Sequence, residues 1–474
     1  MRFRLPRPLK GLYEGHVRDR QHARSLNLII LGATIGTVLF SLTGGSAFTG
    51  LAGAFGANDF VYSLLWALPV LINVVQFYAS YLIEKTGKNR KIFIISGVSG
   101  RALWLVIAFL PYIFPTALVG SRLWALVVLV TASAVMGTFV NAGFYSMLGD
   151  ILPMRIRGKY LSIRSSIATV AALLAGLGAA WLLDHIPGPF LGYTIVFGVA
   201  SIFGIVDILC FLWVKPPPMQ PPQELPSLKV AARIVRRDRQ TRNYLLFWAV
   251  WSFGINLASP FYARYALDVV ELNFTTMMLC GQIPCNLMTI LMLPVWGRML
   301  DRFGAKPILF ITCTVTAVLQ LIWLPATFHA VWPLLVFNLV GGMFWCGNDV
   351  CSMGMMISHT PQEAKGLVTA MYFIFTAIPS AIAFTLGGAL VTWTAPLFAA
   401  WNLTVAGIAF DHYKALFVLA TLVRMVPVIW ILPRVWSEKD AGNASVWQFF
   451  WGKVGQIPTK LRRMGRQLRR KRPV

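Results

Sequence analysis

The sequence predicts an all-α membrane protein, with twelve transmembrane helices arranged as two pseudo-symmetric six-helix bundles. Three observations lead there. The 474 residues are 57% apolar and only 12% charged, too greasy for a chain that presents an ordinary surface to water. Apolar runs of the roughly 20 residues needed to cross a hydrocarbon core of about 30 Å recur along most of the chain. Basic residues collect in alternate gaps between those runs. A soluble two-domain enzyme is excluded.

The runs place spans at about 25–47, 60–83, 92–114, 122–148, 160–183, 190–214, 242–267, 275–297, 307–328, 332–357, 366–393 and 412–433. Lys and Arg near span ends mark the cytoplasmic side. Of 42 basic residues, 36 fall on one side of such a chain: in the two terminal segments, in the gaps 84–91, 155–159, 215–242 and 298–306, and at Lys365. The other side keeps Arg122, Arg264 and Lys414. Both termini are therefore expected in the cytoplasm, with the protein in the plasma or inner membrane.

Orientation also accounts for a net charge of +25 that would otherwise suggest nucleic acid, so no nucleic-acid partner is expected. The tail "TKLRRMGRQLRRKRPV" is denser in charge and is expected to lie on anionic lipid headgroups. Residues 1–24 are basic and lack the apolar core of a cleavable signal, so the first span is expected to be retained. All six cysteines lie inside spans, which argues against disulfides and metal clusters, and no cofactor is implied.

Between spans six and seven, residues 215–241 are rich in proline and then basic, with no apolar run, and read as a cytoplasmic linker. The linker separates a bundle at 25–214 from one at 242–433, followed by a basic tail at 434–474. The halves look like copies. A shift of 217 residues carries Glu84, Lys85 and Gly87 onto Asp301, Arg302 and Gly304, and Trp213 onto Trp430. A shift of 208 carries Pro153 and Gly158 onto Pro361 and Gly366.

Duplicated six-helix halves joined by a cytoplasmic linker mark a transporter architecture whose substrate site lies near the bilayer midplane between the halves. The loop motifs make the likeness specific: the chain resembles the major facilitator superfamily over about residues 25–433. The signature loop of that family, after spans two and eight, runs Gly, three residues, Asp, a basic residue, one residue, Gly, then basic residues. "GRMLDRFGAK" matches with Gly297, Asp301, Arg302, Gly304 and Lys306, departing at Ala305. "SYLIEKTGKNRK" is a weaker copy, with Ser80 for the glycine and Glu84 for the aspartate, while Lys85, Gly87 and Lys88 remain. "DILPMRIRG" after span four is similar to another loop of the family.

The resemblance implies a gate. A carboxylate placed at a helix start is held by free N–H groups and by the positive end of the helix dipole. Asp301 is then expected at the start of span five near Gly158, and Glu84 at the start of span eleven near Gly366, when the cytoplasmic side is closed. Asp150, Arg155 and Arg157 are expected in the same network, with Arg90 as a partner.

Ionisable residues inside spans are costly, which makes each a candidate for function. Arg101 in span three and Asp207 in span six lie at similar depth and can neutralise each other. Under the 217-residue shift Asp207 falls on Arg424. In the resembled fold their spans are peripheral, so all three are expected to be structural. Asp349 in span ten differs, because spans one, four, seven and ten would line the cavity. Asn338, Trp345, Asp349 and Ser352 recur at helical spacing on one face. Asp349 is thus the candidate for proton coupling or for a cationic group, with Asn141 as its counterpart in the other half. The same logic adds Thr131, Thr138 and Tyr145 in span four, and Trp248, Ser252 and Ser259 in span seven.

The function expected is secondary active transport of a small solute by alternating access, proton-coupled, by a monomer. A lipid flippase and a non-transporting membrane assembly factor on the same fold are the alternatives. No acid–base pair, metal cluster, nucleophile constellation or phosphate loop supports an enzyme or a primary pump.

Overall fold

In the computed structural model, residues 20–114, 119–152, 156–214, 238–358, 365–405 and 407–435 are described. Most of the N-terminal segment and of the linker, together with Pro153, Arg155, Pro361 and the basic tail, lies outside the described residues.

Among the described residues, eleven helices are long and apolar enough to cross a membrane. Span two supplies the twelfth crossing as two helices, Asp59–Ile72 and Gln76–Thr86, joined by a 3-10 turn at Asn73–Val75. Pro69 sits inside its first helix, where it cannot donate to the turn before it, and tightening of the next turn follows. Span one is longer than its apolar run suggests. It continues from Arg20–Thr43 into Gly45–Ala54 through a break at Gly44, where Gly45 has φ +58. Spans three to six are Asn89–Ile113, Val119–Ile151, Arg157–His185 and Leu191–Cys210.

In the second half, spans seven, nine, ten and eleven are Arg239–Asp268, Ala305–Val318, Trp332–Ser358 and Lys365–Trp401. Span eight starts at Phe274, passes through a π-helical turn at Met277–Gln282 and continues as Ile283–Phe303. Pro284 lies just past that turn and has no N–H to give, so the wider turn absorbs the lost bond. A small hairpin pairing Thr404 with Ala409 precedes span twelve, His412–Val426. Side-chain caps fix four starts: Asn58 accepts from Val61 N–H, Asp238 from Gln240 and Thr241, Asn273 from Thr276, and Asp411 from Lys414.

Packing repeats between the bundles. Span one packs on five and six, three on four and six, and two on four; span seven packs on eleven and twelve, nine on ten and twelve, and eight on ten. All odd spans begin, and all even spans end, at one face, called here the basic face; the other is the far face. Contacts from bundle to bundle involve span two with eleven, span five with the far-face start of span eight, and the Gly45–Ala54 helix with span seven.

The deepest matched feature pairs a glycine with a charge. A methyl group added to Gly36 in span one would lie 2.5 Å from the Asp207 carboxylate of span six. One added to Gly254 in span seven would lie 2.9 Å from Cγ and 3.3 Å from Cα of Arg424 in span twelve. Both charges enter the core of a bundle only because the facing helix has no side chain there. Gly254→Leu is therefore expected to force spans seven and twelve apart, costing roughly 1–3 kcal/mol as overpacking usually does. The check is a lowered thermal midpoint of the detergent-purified protein, with Phe253→Leu at the neighbouring position as the milder control.

Candidate functional site

A cavity of about 540 Å³ lies between the bundles. Spans one and five form one wall, with Phe40, Ser41, Gly44, Thr169, Gly176 and Ala180; spans seven, eight and ten form the other, with Ser259, Tyr262, Gln282, Asn286 and Asn338. Among the described residues no charged side chain lines it. Small residues on the first wall make the space, and the π-helical turn before Pro284 sets the direction in which Gln282 and Asn286 leave span eight.

In a hydrocarbon setting a hydroxyl or amide donor turns back to a carbonyl when it has no other partner. Ser41 Oγ donates to Ala172 O at 2.7 Å, Asn286 Nδ2 to Gln282 O at 2.9 Å and Asn338 Nδ2 to Leu334 O at 2.9 Å. Ser259 Oγ donates to Asn256 Oδ1 at 3.4 Å, and the Tyr262 hydroxyl to Gln320 Oε1. The Tyr262 ring stands 4.9 Å from Phe337 and is stacked with Phe417 at 4.9 Å, an aromatic wall behind the cavity.

Arg424 lies behind that wall, 2% exposed. Its Nε donates to Gly254 O at 3.1 Å, and its other nitrogens donate to Thr316 O and Ile255 O at 3.2 Å and to the Tyr262 hydroxyl at 3.4 Å. One guanidinium thus ties spans seven, nine and twelve together. In the other bundle Arg101 and Asp207 approach to 3.8 Å, both side chains under 10% exposed, and Arg101 stacks 5.4 Å over Phe40, a cavity residue. Arg164 in span five is a further charge within a span that hydropathy alone passes over. Its guanidinium lies 4.8 Å over the Phe144 ring and within electrostatic reach of Asp207.

The remaining candidates from the sequence lie elsewhere. Thr138 is buried, its hydroxyl donating to Val135 O at 2.7 Å, while Asn141 and Tyr145 are exposed. Trp248 is buried in an aromatic cluster, 5.9 Å from Tyr372. The Ser252 carbonyl accepts from Asn256, and Trp345 meets Trp251 at 6.3 Å. Asp349 is exposed; Ser352 donates to its backbone carbonyl at 2.9 Å, and Tyr372 lies within its electrostatic reach. Of the face drawn from span ten, Asn338 lines the cavity and Asp349 does not. Gln282, Asn286 and Tyr262 are not singled out by the sequence reading. A signal exists for the first two, because amides inside an apolar span are as anomalous as charges, but span eight is not among the spans expected to line the cavity.

The far face is closed by contacts that cross from bundle to bundle. Asp184, at the end of span five, accepts from Phe274 N–H at 3.0 Å and Thr275 N–H at 2.7 Å, the free donors at the start of span eight. Arg264 of span seven meets Asp59 of span two at 3.1 Å and donates to Ala57 O at 2.8 Å. Asp268 braces Arg264 at 3.1 Å, and the Tyr413 hydroxyl donates to Asp59 at 2.8 Å. The Tyr62 hydroxyl donates to Pro260 O at 3.1 Å.

At the basic face, Gly87 (φ +62) and Gly304 (φ +79) each turn the chain sharply between consecutive spans, a conformation that favours glycine. Arg90 donates to Leu212 O, and Lys306 to Pro433 O at 3.1 Å. The matched loops therefore place cations on the carbonyl ends of spans six and twelve, where the helix dipole favours them. Gly297 lies in span eight with open space around it, Asp301 and Arg302 in its last turn, and Lys85 in the last turn of span two. The side chains of Glu84, Asp150 and Arg157, and the surroundings of Gly158 and Gly366, lie outside the described residues.

Two similar bundles around a central cavity have counterparts among known proteins. The sequence profile of the Major Facilitator Superfamily matches residues 26–288 and 276–454, and the chain belongs to that family. No curated protein matches it by sequence. Among solved structures, a mutant form of the nucleoside transporter NupG superposes with a TM-score of 0.64 at 11% identity, covering 86% of this chain and 99% of the other. A bacterial homologue of the human lysosomal transporter Spinster, inward-facing and unoccupied, gives 0.58 at 14%, covering 93% and 98%. A D-xylose–proton symporter gives 0.59 at 17%, covering 84% and 96%. At these identities the likeness shows the fold.

The far-face closure predicts its own failure. Asp184→Ala removes two charge-assisted hydrogen bonds, each worth about 1.5–3 kcal/mol. A cysteine placed at Ser46, on the cavity wall, is expected to react at least tenfold faster with an impermeant maleimide applied to the far face. Unchanged labelling would show that Asp184 does not hold that face closed.

Proposed function

We propose that the protein is a secondary active transporter that carries a small solute across the membrane by alternating access, with the cavity between the bundles as its binding site. The observation that carries this reading is a cavity between two similar bundles whose far-face closure consists of contacts between them. Such contacts break and re-form when two rigid bundles rock about a central site. The fold shared with a nucleoside transporter and a D-xylose–proton symporter supports it.

The basic face is the cytoplasmic one, by the count of Lys and Arg, and the membrane is the plasma or inner membrane. In the described conformation the closed far face is then the outer one. The protein acts as a carrier and not as an enzyme, and as a monomer, since both walls of the cavity come from one chain. Closure of the cytoplasmic side relies on Asp301 at the start of span five and, by pseudo-symmetry, on Glu84 at span eleven. The tail lies on anionic headgroups.

Coupling is to protons, through Asp349. Its carboxylate has no ion pair or hydrogen bond among the described residues, so it has no competing partner for a proton. Reconstituted protein is expected to accumulate its solute when a pH gradient is imposed. Asp349→Asn should abolish that accumulation while sparing exchange of solute for solute. Retained pH-driven accumulation would assign coupling to another group, and an inert protein across a broad solute panel would overturn the transporter reading.

The inner gate has a separate check. Asp301→Asn is expected to lower the fraction of molecules closed at the basic face, read as faster labelling of cysteines in the cavity from that side. If exposure at both faces stays unchanged, Asp301 is an ordinary charge of the last turn of span eight and not a gate.

A further inference from the structure

The far-face closure sets one cation between two carboxylates. Arg264 Nε stands 3.1 Å from Asp59 of span two and 3.1 Å from Asp268, one turn further along its own span. The two contacts differ in kind. The Nε–H is aligned with Asp268 Oδ2 as a hydrogen bond, whereas Asp59 is met as an ion pair and the Ala57 carbonyl takes an Nη2–H at 2.8 Å. The Tyr62 ring, 5.2 Å from the guanidinium, also belongs to span two. Parting of the bundles therefore breaks the contacts with Asp59, Ala57 and Tyr62 and leaves the Asp268 hydrogen bond in place, because both its ends lie on one helix.

Asp268 stands where helix energetics alone would not put it. It is the last residue of span seven, at the negative end of the helix dipole. An acid four residues after its base is also the less favourable order for a helical pair. Across the interface it lies within electrostatic reach of Asp59, so the closed latch opposes two negative charges with one positive charge. The Tyr413 hydroxyl gives Asp59 a hydrogen bond at 2.8 Å, but no second ion pair reaches either carboxylate among the described residues. In a partly buried site that repulsion is not screened away.

We infer that Arg264 is a shared latch: Asp59 claims it when the far face is closed, Asp268 holds it when the bundles part, and Asp268 favours opening. Without Asp268 the closed state is relieved of repulsion at Asp59, while the open state leaves a guanidinium with no carboxylate on its own helix. Without Asp59 the attraction between the bundles goes, and Arg264 stays paired within its span. Two carboxylates at equal distance from one nitrogen thus act on the far face with opposite signs. The inference rests on the alternating-access reading, since it concerns how that face opens.

The test measures how fast a Ser46→Cys variant of the full chain reacts with an impermeant maleimide applied to the far face of proteoliposomes, at one pH throughout, with the chain lacking Ser46→Cys as the blank. Asp59→Asn is expected to speed labelling about threefold and Asp268→Asn to slow it about threefold, the scale of a partly exposed ion pair. The combination of Asp59→Asn with Asp268→Asn should label within about twofold of Asp59→Asn alone, because Asp268 then has no charge to oppose. Asp268 is half exposed, and Asp268→Ser is a second variant of the same sign should Asp268→Asn fold poorly. Faster or unchanged labelling of the Asp268 variants makes that residue an ordinary brace and overturns the inference alone, as does unchanged or slower labelling of Asp59→Asn. Failure of every variant to label from the far face, while the same cysteine reacts from the basic face, shows a face that never opens and overturns the alternating-access reading as well.

Discussion

A guanidinium inside hydrocarbon has to find oxygen, and in this chain the way Arg424 finds it shapes the second bundle. Three backbone carbonyls on spans seven and nine converge on it, together with the Tyr262 hydroxyl. Carbonyls already bonded along a helix retain a second lone pair, so they receive Arg424 without breaking the helix. The approach is possible because Gly254 presents no side chain. The first bundle meets the same demand with a carboxylate: Asp207 sits against Gly36 and takes Arg101 from span three. A duplicated architecture thus holds its peripheral spans to its central ones by one device executed with opposite charges. Each version leaves a buried charge network beside the cavity, so rigidity within the bundles and the electrostatics of the site have a common origin.

Rigid bundles allow the contacts between them to act as switches. Asp184 on the two free N–H groups of span eight illustrates how such contacts work. A helix start in lipid carries donors that nothing in the same helix can satisfy, and water, a carboxylate or a ligand must take them. When the bundles part at the far face, water replaces Asp184 at those donors. The contact biases the conformation, and a ligand can shift such a bias only by its differential affinity for the two states. The pairing of Asp301 with the start of span five would apply the same chemistry at the opposite face, with the roles of spans five and eight exchanged.

Much of this is legible in the sequence for reasons of cost. Twelve crossings follow from apolar length, and Arg101, Asp207 and Arg424 stand out because burial of charge is expensive. The helix breaks are partly legible: the glycines of "SLTGGSAFTG" mark the break in span one, while the 3-10 turn in span two is signalled only by Pro69, four residues ahead of it. The site itself is harder to read, and the reasons are geometric. Asn338 and Asp349 share a helical face, but 11 residues at about 1.5 Å each put them about 16 Å apart in depth, so only one reaches the cavity. Gln282 and Asn286 follow a π-helical turn that departs from the regular period, so a 3.6-residue wheel drawn through span eight points them wrongly. Phe274 lies 90 residues from Asp184 in sequence and Ala57 lies 207 from Arg264, so these interbundle partners are beyond any local pattern.

The two walls of the cavity are not chemical copies, although the bundles are structural ones. The first bundle contributes mainly small residues and Phe40, while Tyr262, Gln282, Asn286 and Asn338 all come from the second. In the proposed transport cycle, a solute held by the amides of the second bundle would keep those hydrogen bonds as the bundles rock, and what changes is the wall of small residues and Phe40 that covers it. No exchange of polar partners inside the cavity, where an unpaired group is costly, is then required. The conformational free energy is left to the bonds at the two faces, where water is available to replace whatever is broken.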